Sequence, residues 1–234
     1  MMTTYRIAAA VLPAILCAAL CDTAAAQSYR VRVYAKADIY QAGKNPPGKR
    51  DYGRGILPPS VALPAGTQCI TFSKVTGKDS CASSEGCITI DNGEGEGTYY
   101  NDPDGVGAYP PTSSNTGEGS ISGITAPYAG YLVGLFTPAG GPSGSPPDAL
   151  DFTQGKGTAF QHLAPKRDQT FFIGDGLTGD GRGKTQKFSV PATAATLYLG
   201  ISDAAGFNGS PDAYLDNFGS FKVIVHASPN ACAG

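Results

Sequence analysis

The sequence predicts an all-β fold, a jelly-roll β-sandwich built as one domain, and three observations carry that expectation. Glycine (32) and proline (18) are scattered through the 234 residues, and both interrupt helices. The apolar segments are short, β-rich and bounded by Gly, Pro, Asp, Asn and Ser. Long irregular stretches connect them, as in sandwiches and jelly rolls.

The chain opens with an address rather than a structural element. Arg6 gives a positive start, Ile7 to Leu20 an apolar core, and Ala24-Ala25-Ala26 a small-residue cleavage pattern. Residues 1–26 are therefore expected to be a signal peptide, and residues 27–234 a single domain. The apolar run is short for a membrane span, and the polar end after Val225 offers no anchor, so a secreted or periplasmic protein is expected.

Tyr29-Arg30-Val31-Arg32-Val33-Tyr34 then alternates as a half-buried strand does. Further strands are expected over Gln68 to Phe72, Tyr131 to Phe136, Thr170 to Ile173, Gln186 to Val190, Thr196 to Ile201 and Ser220 to Val225. Asp91 to Gly123 and Thr137 to Gly157 read as long loops, which in a domain of this size are functional or mobile. No internal repeat or interdomain linker interrupts the pattern.

The net charge of −2 gives no electrostatic case for nucleic acid or an anionic membrane surface. Cys69, Cys81, Cys87 and Cys232 remain after cleavage, an even number that favours disulfides in an exported chain. Three connectivities are possible, with Cys81–Cys87 the most local. Zinc fits poorly, because there is no C-x2-C pair and the only histidines are His162 and His226.

Gly174-Asp175-Gly176-Leu177-Thr178-Gly179 formally matches a dinucleotide fingerprint, but that chemistry needs a helix to start there. Asp180-Gly181-Arg182-Gly183 and a further strand follow instead, so a glycine-rich turn is expected. Gly183-Lys184-Thr185 imitates the end of a phosphate-binding loop, with threonine at position 178 where glycine is required. There is no G-x-S-x-G serine motif, and His162 in a loop and His226 beyond the last strand read as surface residues. No catalytic residues are assigned, and the chain is not expected to be an enzyme.

The segment from Ser202 to Gly219 is more informative. Asp203 closes one strand, and Asp216 with Asn217 leads into the next. Hard cations such as Ca²⁺ collect six to eight oxygens from carboxylates, amides and carbonyls, and clustered acids repel one another unless a cation neutralises them. Asp and Asn also simply make turns, and both readings stay open. Asn101-Asp102-Pro103-Asp104-Gly105 is a second acidic turn without the full EF-hand pattern.

A family resemblance enters at these residues. Val190-Pro191-Ala192, Leu197 to Asp203 and Asp216 to Val223 resemble the calcium-dependent galactose-binding lectin of Pseudomonas, a galactose-binding-domain-like jelly roll. Thr170 to Gly179 and Gly206-Phe207 with Asp216-Asn217 resemble a group of exported bacterial proteins that often carry a PEP-type sorting helix. Weaker similarity runs through Ala37-Asp38-Ile39, Val75-Thr76-Gly77 and Tyr131 to Gly134.

The resemblance implies Ca²⁺ held by Asp203, Asp216 and Asn217, with carbonyl ligands near Ala213 and Cys81, and a sugar-touching loop at Asp102 and Asp104. It makes a calcium-dependent carbohydrate-binding module the leading expectation, with a glycan or exopolysaccharide as partner. Asp203 and Asp216 would meet the sugar through the ion, and Tyr99, Tyr100 and Tyr214 are candidate rim aromatics. Weak single-sugar affinity makes a homo-oligomer the expected route to avidity. The alternative is a structural extracellular β-sandwich whose calcium only pins loops. A polysaccharide hydrolase ranks last, because it needs two carboxyls about 5–10 Å apart on a cleft.

Overall fold

The computed structural model describes residues 25–44, 53, 55–81, 101–106, 112–179 and 181–232. The expected signal peptide, residues 1–26, lies almost wholly outside them, as do Cys87, Tyr99 and Tyr100.

The strands in chain order are β1 (Gln27–Tyr34), β2 (Ser60–Ala62), β3 (Cys69–Cys81), β4 (Ser113–Glu118) and β5 (Ile121–Ala126). There follow β6 (Leu132–Thr137), β7 (Leu150–Asp151), β8 (His162–Leu163), β9 (Thr170–Phe172) and β10 (Leu177–Gly179). The last are β11 (Arg182–Thr185), β12 (Lys187–Ser189), β13 (Thr196–Ile201), β14 (Asn208–Gly209) and β15 (Asn217–Ser228). Helix among the described residues is limited to three-residue 3-10 turns, and none is long and apolar enough to cross a membrane.

The all-β sandwich is present. One sheet runs β1-β15-β3-β12-β8, a second β2-β13-β6-β9 and a third β14-β4-β5-β7, with β10-β11 as a separate hairpin. Each expected strand is found, most within three residues of the expected ends, but β3 runs nine residues past the expected Phe72. Part of the expected loop from Asp91 to Gly123 is instead a hairpin, β4 paired antiparallel with β5. Its polar sequence, Ser-Ser-Asn-Thr-Gly-Glu, hid it, because β4 makes its place by backbone pairing more than by apolar burial. The fingerprint-like glycines form a turn into the β10–β11 hairpin, as expected. His162 lies in β8 rather than a loop, and β15 continues past His226 rather than ending before it.

One apolar core joins the sheets. Phe72, Phe188, Phe221 and Val225 come from the first sheet, and Leu135, Phe136, Phe171 and Leu199 from the second. Phe171 meets Phe188 at 5.3 Å between ring centroids, Phe188 meets Phe72 at 5.2 Å and Phe171 meets Phe136 at 5.0 Å. Each fully buried ring contributes about 1.5–3 kcal/mol through burial. Cys69 and Cys232 form a disulfide that fastens the start of β3 to the C-terminal segment. Such a bond fits an oxidising compartment, and closure of so long a loop typically stabilises by about 2–4 kcal/mol. Of Cys81 only the backbone is described.

A single irregularity interrupts the longest strand pair. Lys222 pairs with Thr76 but Ile224 with Ser73, so Lys74 and Val75 together face Val223 as a β-bulge. Lys74 adopts the left-handed conformation, with φ 49°, which disfavours any side chain larger than hydrogen. Before the bulge Ile70 and Phe72 point inward; after it Lys74, Thr76 and Lys78 are exposed and Asp79 is buried. The extra residue exchanges the two faces of the strand.

Candidate metal centre

The interior end of the β3–β15 pair is polar. Asn217 lies opposite Cys81 and Gly219 opposite Asp79, so Asn217 and Asp79 are diagonal neighbours on one face. Asn101 is zipped to Asp79 by two backbone hydrogen bonds, Asp79 N to Asn101 O at 3.1 Å and Asn101 N to Asp79 O at 2.8 Å. Asp79, Asn101 and Asn217 are each 2% exposed.

Asp203 completes the group from the end of β13. Its carboxylate Oδ2 accepts from Asn217 Nδ2 at 2.9 Å, and Oδ1 accepts from Ala204 N at 2.7 Å. Asn217 spends its second amide proton on Ala35 O at 3.1 Å, which leaves its Oδ1 turned elsewhere. The Asp203 backbone is fixed on both sides. Asn115 Nδ2 donates to its carbonyl, and its N–H donates to the Tyr214 hydroxyl at 2.9 Å, which in turn donates to Ile201 O.

Glycine makes the close approach possible. A Cβ on Gly130 would sit 2.8 Å from Asn101 Nδ2 and 3.0 Å from Asp79 Oδ1, and its φ of +69° also disfavours a side chain. The carboxylate of Asp79 and the amide of Asn101 therefore press together against bare backbone. Asn101 Nδ2 donates to Ala129 O at 3.3 Å.

The electrostatics follow from burial. Burial pushes the Asp79 carboxyl well up from its usual range, and the charges of Asp203 and Asp102 push it further. Asp203 is raised to about 7, chiefly by burial and then by the charges of Asp216 and Asp38, against the opposing bonds from Asn217 and Ala204. Asp216 is raised as well, by burial above all. Three buried oxygens, Asp79 Oδ1, Asn101 Oδ1 and Asn217 Oδ1, have no hydrogen-bond partner, nor has Asp216 Oδ1. A buried oxygen without a donor costs about 1–3 kcal/mol. Such atoms call for a proton, a water or a cation.

The expected residues are placed as follows. Asp203 and Asn217 converge, and Asp216 sits half-buried on the 3-10 turn leading into Asn217. Ala213 caps that turn in the left-handed conformation, φ 71°, and its N–H donates to Asp212 Oδ1. The Cys81 backbone faces Asn217 across the strand pair. Asp102 Oδ1 accepts from Asp104 N and Val106 N, each at 3.0 Å, and Asp104 Oδ1 accepts from Asp175 N at 3.0 Å. Asp102 closes its own turn, and Asp104 ties that turn to Asp175. Tyr214 is fully buried and cannot serve as a sugar-stacking rim, because its hydroxyl is needed to hold Asp203.

The sequence reading missed Asp79 and passed over Asn101. The available signal was Asp79 itself, a carboxylate at the inward register of Val75 and Gly77, visible only once the bulge is known. Among the described residues no three His, Cys, Asp or Glu side chains gather as a metal-holding group. The cluster mixes two carboxylates with two amides, a donor set suited to a hard, oxygen-seeking cation rather than a thiophilic one. Comparison with protein-family models, curated proteins and solved structures finds no match to this chain.

Proposed function

We propose that this protein is an exported extracellular or periplasmic β-sandwich completed by a buried calcium ion, with Asp79, Asn101, Asp203 and Asn217 as its side-chain ligands. The observation that carries the reading is the set of buried, unpartnered oxygens beside a buried carboxylate. Ca²⁺ would satisfy the oxygens and offset the repulsion between Asp79 and Asp203 together. It would tie the end of β3 and the start of β15 to Asn101 and to the exit of β13. The role is structural, because these side chains have almost no exposure through which a second molecule could reach the ion.

Thermal unfolding with Ca²⁺ and with EDTA tests this. At a hundredfold excess over Kd the ion contributes about 2.7 kcal/mol, an expected rise of roughly 5–10 °C for a chain of this size. Asp79→Asn should weaken the calcium response while raising the melting temperature in EDTA, since it removes an uncompensated buried acid. Identical melting in Ca²⁺ and EDTA would sink the proposal.

One observation favours a second reading, lectin-type carbohydrate binding on the galactose-binding-domain-like jelly roll. Asp216 is half-buried, its Oδ1 lacks a partner, and its charge reaches Asp203. An ion shared with Asp216 would sit nearer solvent, where sugar hydroxyls could complete its shell. Calorimetry with galactose in Ca²⁺ and in EDTA separates the readings: calcium-dependent sugar heat supports the lectin, and calcium binding without sugar heat supports the structural ion.

A further inference from the structure

The outer face of the five-stranded sheet carries a second surface, independent of the metal centre. Cross-strand pairs place Arg30, Ile224 and Ser73 in one row, Arg32, Lys222 and Thr76 in the next, and Tyr34, Ser220 and Lys78 in a third. The bulge adds Lys74 between the first two rows. Arg30, Arg32, Lys74, Lys78 and Lys222 are all exposed, and none of them forms an ion pair among the described residues. None of the residues in these rows is a carboxylate. A chain of net charge −2 has thus concentrated cations on one face.

Two features of that face oppose stability. Arg32 lies directly opposite Lys222, and like charges across a strand pair repel. Lys74 occupies a left-handed position, φ 49°, that glycine fills at less strain. Both features gather cations around one depression of about 400 Å³, lined by Arg30, Arg32, Lys74, Thr76, Lys222 and Ile224.

We propose that this face binds a linear polyanionic polysaccharide, with its carboxylate or sulfate groups against Arg30, Arg32, Lys74 and Lys222. The hydroxyls of Thr76 and Ser220 lie beside the cations and suit sugar hydroxyls, whereas that of Ser73 is held by His226 Nε2 at 2.7 Å. The first two rows present no aromatic ring, and Tyr34 at the edge of the third is a single ring rather than the succession on which nucleic-acid bases stack. The apolar side chain of the first two rows, Ile224, is half-buried and too little to enter a lipid surface. Guanidinium groups hold carboxylates and sulfates in paired hydrogen bonds. A disulfide-bonded protein in an oxidising compartment meets such polymers at cell surfaces and in matrices.

The test is binding of the full chain to alginate and heparin, with dextran, duplex DNA and anionic phospholipid vesicles as comparators, each in Ca²⁺ and in EDTA. Alginate or heparin should bind in both conditions, and affinity should fall roughly tenfold to hundredfold between 50 and 200 mM salt. The double variant Arg32→Ser, Lys222→Ser should lose at least tenfold with its melting temperature unchanged or raised. Lys156→Ser with Lys184→Ser, which removes exposed lysines elsewhere, should leave binding intact. Equal loss in both double variants, binding to DNA or vesicles but not the polysaccharides, or no binding at all would overturn the proposal. Because the expected binding survives EDTA, its failure and the failure of the calcium reading are separate results.

Discussion

The two faces of the β3–β15 pair carry opposite charges in opposite surroundings. Outside, Arg30, Arg32, Lys74, Lys78 and Lys222 stand in water, where like charges a strand apart repel by about a kilocalorie per mole or less. Inside, burial pushes the Asp79 and Asp203 carboxyls upward, and the charges of neighbouring acids push them further. The difference is one of solvent rather than of charge number. Exposed like charges can wait for a mobile partner, whereas buried ones need theirs as part of the fold. Each face is therefore a separate request for a counter-charge, polymeric outside and a single ion inside.

The bulge at Lys74 decides which β3 residues belong to each face, so the strongest way to break the comparison is to shift the count beyond it. Inserting a second residue beside Lys74 shifts every later β3 residue by one, which turns Asp79 outward and its lysine neighbours inward. The expected result is loss of the folded protein, an effect above about 4 kcal/mol, seen as no cooperative melting transition. Lys74→Gly keeps the extra residue and relieves its φ, so its stability should stay within about 1 kcal/mol of the parent. An insertion variant that melts like the parent would show that the count past the bulge does not fix the inward place of Asp79.

That bulge also explains what could be read from the sequence. Strands such as Tyr29 to Tyr34 and Thr196 to Ile201 were legible because their alternation or apolar run matches their burial. Asp203 and Asn217 were legible as a pair because turn residues flank the loop that joins them. Asp79 was not, since counting by twos from Ile70 and Phe72 places it in solvent. One inserted residue, with no glycine to announce it, reverses the count. Nothing along the chain singles out Lys222 either, because register across strands is invisible along one of them. The Cys69–Cys232 bond, at a sequence separation of 163, is a fact of topology that spacing could not select.

The interior face can be sharpened by pH. An ordinary aspartate ionises near ~3.9, whereas Asp203 in the fold does so at about 7. Without calcium the folded state therefore holds a proton that the unfolded state releases. Its contribution to stability is fully present below about pH 4 and is lost as pH rises through about 7. The loss is a few kcal/mol at most. Chemical denaturation in EDTA should show stability falling across that window, with a shallower slope in Asp203→Asn. Added Ca²⁺, which selects the ionised form, should stabilise more at pH 7 than at pH 5. A flat or rising profile in EDTA, unchanged in Asp203→Asn, would remove the uncompensated acid from the interior face.

The smallest expected effect tests how the interior oxygens are aimed. Tyr214 accepts from Asp203 N and donates to Ile201 O, each at 2.9 Å, from a fully buried position. Tyr214→Phe keeps the ring and its packing but leaves both backbone groups unpaired, a cost of about 1–3 kcal/mol. If that hydroxyl only fills hydrogen bonds, the loss should be the same with and without calcium. If it also positions the Asp203 carboxylate, the variant should lose more stability in Ca²⁺ than in EDTA, because the ion reports the displaced oxygen. The outer face provides the control: polysaccharide binding there should not change, since Tyr214 supports none of its cations. A variant that loses calcium affinity and polysaccharide binding together would show that the two faces are coupled through the strand pair, and that treating them as separate sites is wrong.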